Sequence, residues 1–382
     1  MTPLLTPAPI RPAPRPKEEN LTFHATHRLY DIYEKQMAWL EAGKEDFSAI
    51  GLAKDVTPIA FTQKKDLVGE GVYAKVMQVY DLSSHRRIAM KFSNPEMGPY
   101  LKDEKENLKW IKAANCPNVA QFYYWYPYEP NEVAIAMELE KPSLATHFAE
   151  KGRFPLSDLL PITRDLLVAL KGLAEIGMIH GDLSEDNIAY DPDEKKATLL
   201  DFGIAILETK DKQPLPQCFQ NLFSRAPEVI LGRRYDTRAD LWSLAAVMYY
   251  VYIGRCFIYT HAPDENLKQQ HVDLLHQIFA IIGPPPCQYV MKSEAPARYC
   301  GKRPSGVIGL KEKATDDIAE RVQNIRQDPL YFEKRFHTVA MENGENPAEA
   351  VKLWNFLRLL LAYERPTAAE ALTIFDEMFS VK

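Results

Sequence analysis

The sequence predicts an α+β chain of two lobes, a small β-rich one followed by a larger α-helical one. From about residue 61, apolar and polar residues alternate in short runs, the two-residue period of half-buried strands. After about residue 139 the pattern changes to the three-to-four-residue period of helices and keeps it almost to the end. A short β-rich region before a longer α-rich one, with no internal repeat, implies two packed lobes with a cleft between them.

At 382 residues the chain can bury a substantial core, and 46% hydrophobic with 26% charged residues is an ordinary globular balance. The formal net charge of -6 gives no electrostatic reason to expect nucleic acid or a membrane as partner. Short basic clusters such as Lys64-Lys65 and Arg233-Arg234 read as solvated surface. The five cysteines are odd in number and far apart, without zinc or redox spacing, which fits an intracellular compartment, cytoplasmic or nuclear. No secretory leader pattern is present. The most apolar stretch, 241 to 259, is broken by Gly254 and Arg255. It falls short of a span of roughly 20 residues and reads as a buried core helix.

Residues 1–20 form a Pro-rich tail, with six prolines in the first 17 positions, expected to be extended and disordered. Its "PIRP" matches a ligand for a proline-recognition domain, although a floppy tail is the favoured reading. Residues 21–60 form a helical extension in which Leu29, Tyr33, Met37 and Leu40 share one face of a helix over 24–42. The main domain covers 61–380, its first lobe about 61–138 and its second about 139–380. A hairpin and a third strand come first, then a helix over 100–114 and strands near 119–126 and 132–138. Helices follow at 156–177, 238–253, 266–282, 315–326, 347–362 and 367–379.

"GEGVYA" (69–74) is by itself no more than a hairpin turn, since turns need φ > 0. Its functional reading is that Gly69 and Gly71 let backbone N–H groups approach phosphate oxygens. Lys91, in "IAMKF", ends an apolar strand 20 residues after Gly71. A lysine there either snorkels at an edge or meets an anion, because burying its charge alone is costly. The decisive pattern is Asp182 in "HGDLSEDN", Asn187 five residues on, and Asp201 opening "DFG" another 14 on. Two carboxylates and an amide at that spacing suit a hard divalent cation, which takes oxygen ligands.

In this order the motifs resemble the eukaryotic protein kinase family, over about Lys65 to Phe379. The resemblance implies the two-lobed protein kinase fold and transfer of the γ-phosphate of ATP, with Mg2+, to Ser/Thr hydroxyls of protein substrates. It implies that Gly69, Glu70, Gly71, Val72 and Ala74 form the loop over ATP, with Val76 and Ala89 also at nucleotide-binding positions. Lys91 would hold the α and β phosphates, Asp182 would accept the substrate hydroxyl's proton, and Asn187 and Asp201 would hold the metal. Met137 takes the gatekeeper position, with Glu138 and Leu139 entering the hinge. Lys91 needs an acidic partner from the 100–114 helix. Glu104 and Glu106 are both near, and counting back from Pro117 with one residue of slack favours Glu106. "SRAPEVILG" and "DLWSL" imply a Glu228–Arg365 pair and an Asp240 that holds the catalytic loop. These elements separate protein kinases from small-molecule kinases that share an "HGD" loop. The texture is most similar to the CMGC group, and within it to the dual-specificity tyrosine-regulated and homeodomain-interacting kinases.

The chain departs from the family pattern at four positions. Gly181 replaces the arginine that binds an activation-loop phosphate, Cys218 replaces the common phosphotyrosine, and Leu222 replaces another arginine. A receptor and its phosphate are missing together, so activation-loop phosphorylation is not expected to act as the switch. The lost arginine also weakens the expectation of a proline-directed substrate. Ser184 replaces a lysine that stabilises the transferring phosphoryl group. Its loss favours the alternative, a pseudokinase serving as a nucleotide-binding or scaffold module. Phosphatase treatment of the purified protein is expected to leave its transfer rate unchanged, and a large loss would refute the argument from Gly181, Cys218 and Leu222.

Overall fold

The computed structural model describes residues 59–60, 67–70, 74–81, 86–93, 100–129, 132–208, 220–291, 296–302 and 307–379. The Pro-rich tail, the 24–42 helix, Gly71, Val72 and Cys218 lie outside the described residues. The chain divides into two units. One holds the residues up to Lys109 together with Gln121–Leu139, and the other holds Trp110–Ala120 with Glu140–Lys382.

The first unit is built on an antiparallel sheet. Its strands are β1 (Ile59–Ala60), β2 (Leu67–Glu70), β3 (Ala74–Asp81), β4 (Arg86–Ser93), β5 (Phe122–Glu129) and β6 (Glu132–Glu138). They lie in the order β1-β3-β4-β6-β5, with β2 also pairing β3. The expected hairpin and third strand are thus β2, β3 and β4. In central β4, Ile88, Met90 and Phe92 are buried on one face and Ala89 and Lys91 on the other. Burial of both faces explains why this strand reads as nearly continuous apolar sequence. Helix α1 (Tyr100–Ala114) buries Leu101, Glu104, Leu108 and Ile111, one stripe at helical spacing.

The second unit is mainly helical: α2 (Leu144–Lys151), α3 (Leu156–Glu175), α4 (Pro227–Ile230), α5 (Ala239–Ile253), α6 (Leu267–Ile282), α7 (Cys287–Met291), α8 (Pro296–Tyr299), α9 (Asp316–Gln327), α10 (Tyr331–Asn343), α11 (Pro347–Leu360) and α12 (Ala368–Phe379). Three strand pairs accompany them. They are β7 (Met178–Ile179) with β10 (Ile206–Leu207), β8 (Ile188–Asp191) with β9 (Lys196–Leu199), and β11 (Cys300–Lys302) with β12 (Ile308–Leu310). Every residue of α5 except Tyr250 is buried, as the apolar stretch from 241 predicts. The helix stops at Gly254, whose φ of 79° lets its N–H reach Tyr250 O at 2.7 Å. No helix among the described residues is long and apolar enough to cross a membrane.

Rings from the turn just after α5 and from two later helices close around it. Tyr249 meets Phe257 edge-on at 5.3 Å and Phe332 at 5.8 Å, and Phe332 stacks on Trp354 at 4.9 Å. Phe332 belongs to α10, which the sequence reading does not anticipate because Glu333, Lys334, Arg335 and His337 dilute its apolar spacing. The β11–β12 hairpin is likewise unanticipated.

Glu345, between α10 and α11, ties two helices together. Its carboxylate accepts the Leu156 N–H at 2.6 Å and the Tyr252 hydroxyl at 3.0 Å. Helix α3 starts after Pro155, which offers no side-chain cap, so the distant carboxylate supplies both the acceptor and the negative charge. Glu345→Ala is expected to lower unfolding stability by about 1–3 kcal/mol, because a helix-end donor and a buried hydroxyl lose their acceptor. A urea titration against the unchanged protein measures it.

Candidate active site

Lys91 is 7% exposed in the middle of the sheet. Its Nζ contacts both oxygens of Glu104, at 2.9 and 2.8 Å, and Glu104 is itself 2% exposed. The expectation that favoured Glu106 is therefore corrected. Two positions on a helix is about 200° of rotation, which carries Glu106 from the buried stripe to the outer face. There it pairs with Lys105 and Lys109, each at 3.1 Å, and those two ammonium groups hold its carboxyl below the usual range.

Sheet register gathers most of the remaining nucleotide candidates of this unit. Val76 lies opposite Lys91, Gly69 opposite Val76, and Ala89 opposite Met137. Paired residues and those two apart share a face, so Gly69, Ala74, Val76, Ala89, Lys91 and Met137 all belong to one face of the sheet. Ala74 and Ala89 are buried and Met137 is half-buried, which leaves a small-residue surface beside one charge. Glu138 pairs with Ile88 and belongs to the opposite face. Its N–H donates to Gln121 O at 2.9 Å, which commits that donor to the neighbouring chain segment. Leu139 follows it, half-buried. Glu70 ends β2, and Gly71 and Val72 beyond it lie outside the described residues.

In the helical unit, the 179–190 segment is held from below by α5. Asp240, 1% exposed, accepts the His180 N–H at 2.7 Å and the Gly181 N–H at 3.0 Å. Burial pushes its carboxyl up, opposed by His180 and by these two bonds. Gly181 has φ of 76°, so glycine here relieves the backbone as well as omitting an arginine. The Asp182 N–H donates to His180 Nδ1 at 3.1 Å, which fixes the imidazole proton on Nε2, facing Leu200 O at 2.8 Å. Asn187 Nδ2 donates to Asp182 O at 2.8 Å and to Asp182 Oδ2 at 3.0 Å, leaving its Oδ1 as the oxygen for a cation. The Leu200 N–H donates to Asn187 O at 2.8 Å, which fixes the residue before Asp201. Asp201 sits at φ of 56°, and its Oδ1 accepts the Gly203 N–H at 3.0 Å.

Hydrogen bonds thus tie Asp182 to Asn187 and Asn187 to Leu200, whose next residue in the chain is Asp201. Among the described residues, no group of three or more His, Cys, Asp or Glu is gathered as a metal site. The oxygens present fit Mg2+, which keeps few protein ligands and completes its shell with phosphate and water. Ser184 is buried and sits between Leu183 and the short 3-10 turn Glu185–Asn187, with no basic residue from Leu183 to Asn187.

Sequence reasoning missed a second set of groups that shape the 220–228 segment. Gln220 is buried at φ of 75°. Its amide donates to Ala239 O and Ser243 Oγ, each at 3.0 Å, and accepts the Ala226 N–H at 2.8 Å. Its carbonyl accepts from Nε and Nη2 of Arg225, at 3.3 and 2.9 Å. Arg225 Nη1 reaches His271 Nε2 at 2.8 Å, and His271 Nδ1 reaches Tyr299 Oη at 2.9 Å. Burial and the positive charges of Arg225 and Arg298 push the His271 pKa down to about 4, so the ring stays a neutral acceptor for Arg225. The expected Glu228–Arg365 pair forms bidentately at 2.7 and 3.0 Å.

The two acids of α1 are separable by experiment. Glu104→Ala removes the carboxylate on which both Lys91 contacts end and is expected to cost about 3–5 kcal/mol of stability. Glu106→Ala acts on an exposed pair and is expected to stay within about 0.5 kcal/mol. Equal costs in a chemical denaturation series would refute the assignment.

The sequence matches the family "Protein kinase domain" over residues 62–373. It is 25% identical over 236 residues to Protein kinase MCK1 of Saccharomyces cerevisiae, covering 59% of this chain and 60% of that one. It is 28% identical over 242 residues to Probable cyclin-dependent kinase 10 of Dictyostelium discoideum, covering 58% of this chain and 60% of that one. It is 27% identical over 252 residues to Dual specificity tyrosine-phosphorylation-regulated kinase 3 of Rattus norvegicus, covering 61% of this chain and 41% of that one. The chain thus spans less than two thirds of the length of these relatives. With the family matched over most of its length and relatives of the CMGC type, the chain belongs to the protein kinase family.

Proposed function

We propose that the chain is an ATP- and Mg2+-dependent protein kinase acting on Ser or Thr hydroxyls of protein substrates. The observation that carries this reading is the hydrogen-bonded run from Asp182 through Asn187 to Leu200, next to Asp201. A chain released from transfer chemistry has no need to keep that run together with a buried Lys91–Glu104 pair.

Asp182, steered by its bond from Asn187, takes the proton of the attacking hydroxyl. Asn187 Oδ1 and Asp201 hold the metal, which when bound neutralises charge on the phosphates. Lys91, oriented by Glu104, holds the α and β phosphates of ATP. The sheet face with Ala89, Val76 and Met137 receives the apolar part of the nucleotide, and the Glu138 carbonyl and Leu139 its polar edge. Ser184 contributes no positive charge, so transfer is slower by about 10²–10³ than with a lysine there. Gly181 leaves no receptor for an activation-loop phosphate, which supports a kinase active without that modification. The four described cysteines are free thiols, in keeping with an intracellular setting. The N-terminal "PIRP" is the candidate contact for a proline-recognition partner.

The test is transfer of labelled phosphate from ATP to a generic basic protein, with Asp201→Ala as the control. Magnesium-dependent transfer above the control is expected, with Asp182→Asn lowering it at least as far. Its absence in a folded protein would leave the pseudokinase reading, which Ser184 favours. Nucleotide-induced thermal stabilisation would then report whether binding survives alone.

A further inference from the structure

Trp125 lies on β5, outside every motif of the sequence. Sheet register pairs it with Ile135 on β6, and Ile135 with Lys91 on β4. Directly paired residues share a face, so Trp125, Ile135 and Lys91 stand in one row across the sheet. Two strand spacings, about 10 Å, separate the ends of that row. These residues and α1 as far as Lys109 all belong to the first unit.

Helix α1 touches both ends of the row. At one end Glu104 meets Lys91. At the other, Lys105 Nζ stands 4.0 Å from the centroid of the Trp125 ring, over its face, and Lys109 Nζ stands 5.3 Å from it. Glu106 Oε1 lies 3.1 Å from each of these two ammonium groups, which offsets their repulsion over one ring. Glu106 thus serves the Trp125 end of the row as Glu104 serves the Lys91 end. The Lys105 side chain is only 13% exposed, so water screens its attraction to the ring weakly.

A single contact leaves a helix free to turn about its axis, and a second contact on another side removes that freedom. At about 100° per residue, Lys105 and Lys109 stand about 100° and 140° around α1 from Glu104, between it and Glu106. A turn that withdrew Glu104 from Lys91 would lift both ammonium groups off the ring. We propose that Trp125 is a positioning residue: its ring receives Lys105 and Lys109, sets the rotation of α1, and so holds Glu104 against Lys91. Opening this clamp weakens ATP binding because Lys91 holds the phosphates, and in that consequence the proposal rests on the kinase reading.

Two readouts test it, one of them independent of transfer. The rate at which an N-hydroxysuccinimide ester acetylates Lys91, followed by peptide mass spectrometry, reports how firmly Glu104 holds that amine. Trp125→Leu is expected to raise the rate about threefold or more, whereas Trp125→Phe, which keeps a ring, stays within about twofold of the unchanged protein. The joint change Lys105→Met and Lys109→Met keeps the ring and removes both charges. It should match Trp125→Leu, and it carries the test if that variant does not fold. Beside Glu104→Gln, Trp125→Leu should add nothing. In the transfer assay, Trp125→Leu should raise the KM for ATP about three- to tenfold and leave kcat within about twofold. The proposal is overturned if Lys91 labelling is unchanged both in Trp125→Leu and in the double lysine variant. It is equally overturned if Trp125→Phe raises labelling as much as Trp125→Leu, which would make the effect one of packing. An undiminished effect of Trp125→Leu beside Glu104→Gln also overturns it. Labelling that shifts as expected, with no transfer in any variant, keeps the clamp and sinks the kinase reading instead.

Discussion

Asp240 is a carboxylate that water does not reach, placed near the start of a helix buried on nearly every side, and it spends both oxygens on backbone N–H groups of the 179–190 segment. A buried charge is tolerated only where hydrogen bonds meet it. Here those bonds come from His180 and Gly181, so the need to satisfy Asp240 fixes where the loop must run. From there the order propagates by single contacts. His180 presents Nδ1 to Asp182 and Nε2 to Leu200, and Asn187 bridges Asp182 to the same strand end. The same helix also anchors Gln220 through Ala239 and Ser243, and with it the 220–228 segment. The 179–190 segment and the 220–228 segment therefore share one rigid support.

The departures from the family pattern read differently once this support is seen. Gly181 is usually weighed as an arginine lost, but its N–H is committed to Asp240 and its φ is one that glycine adopts without strain. The position thus has a backbone duty independent of any phosphate receptor. At Ser184 the backbone makes no demand special to serine: its carbonyl accepts the Asn187 N–H at 3.1 Å, which any residue could do. It is buried between Leu183 and the Glu185–Asn187 turn, and nothing among its sequence neighbours supplies the missing charge.

Much of the fold was legible because strand and helix periods were clean. Helix α1, strands β5 and β6, and helices α3, α5, α6, α9, α11 and α12 were expected within a few residues. Helix α10 was not, since its inward residues are separated by a run of charges. The candidate residues Asp182, Asn187 and Asp201 stand out in the sequence by order and spacing, and hydrogen bonds join Asp182 to Asn187 and Asn187 to Leu200. Glu104 was legible in principle. Leu101, Leu108 and Ile111 mark the buried stripe, and Glu104 lies on it where Glu106 does not. Rotation around the helix, rather than distance along the chain from Pro117, decides which acid faces Lys91. Gln220, His271 and Tyr299 left no local trace, as their roles depend on partners brought together only by the fold.

The bidentate Glu228–Arg365 pair joins positions 137 residues apart, and His180 reaches Asp240 across 60. Contacts so far apart along the chain form late, after loop closure has been overcome. A nascent chain that has already exposed its catalytic loop still lacks Asp240, and one that has Asp240 still lacks the cation for Glu228. During synthesis the ribosome releases the chemistry before it releases the scaffold. The loop is therefore made well before the residues that brace it, since its contacts wait for residue 240 and those of Glu228 for residue 365.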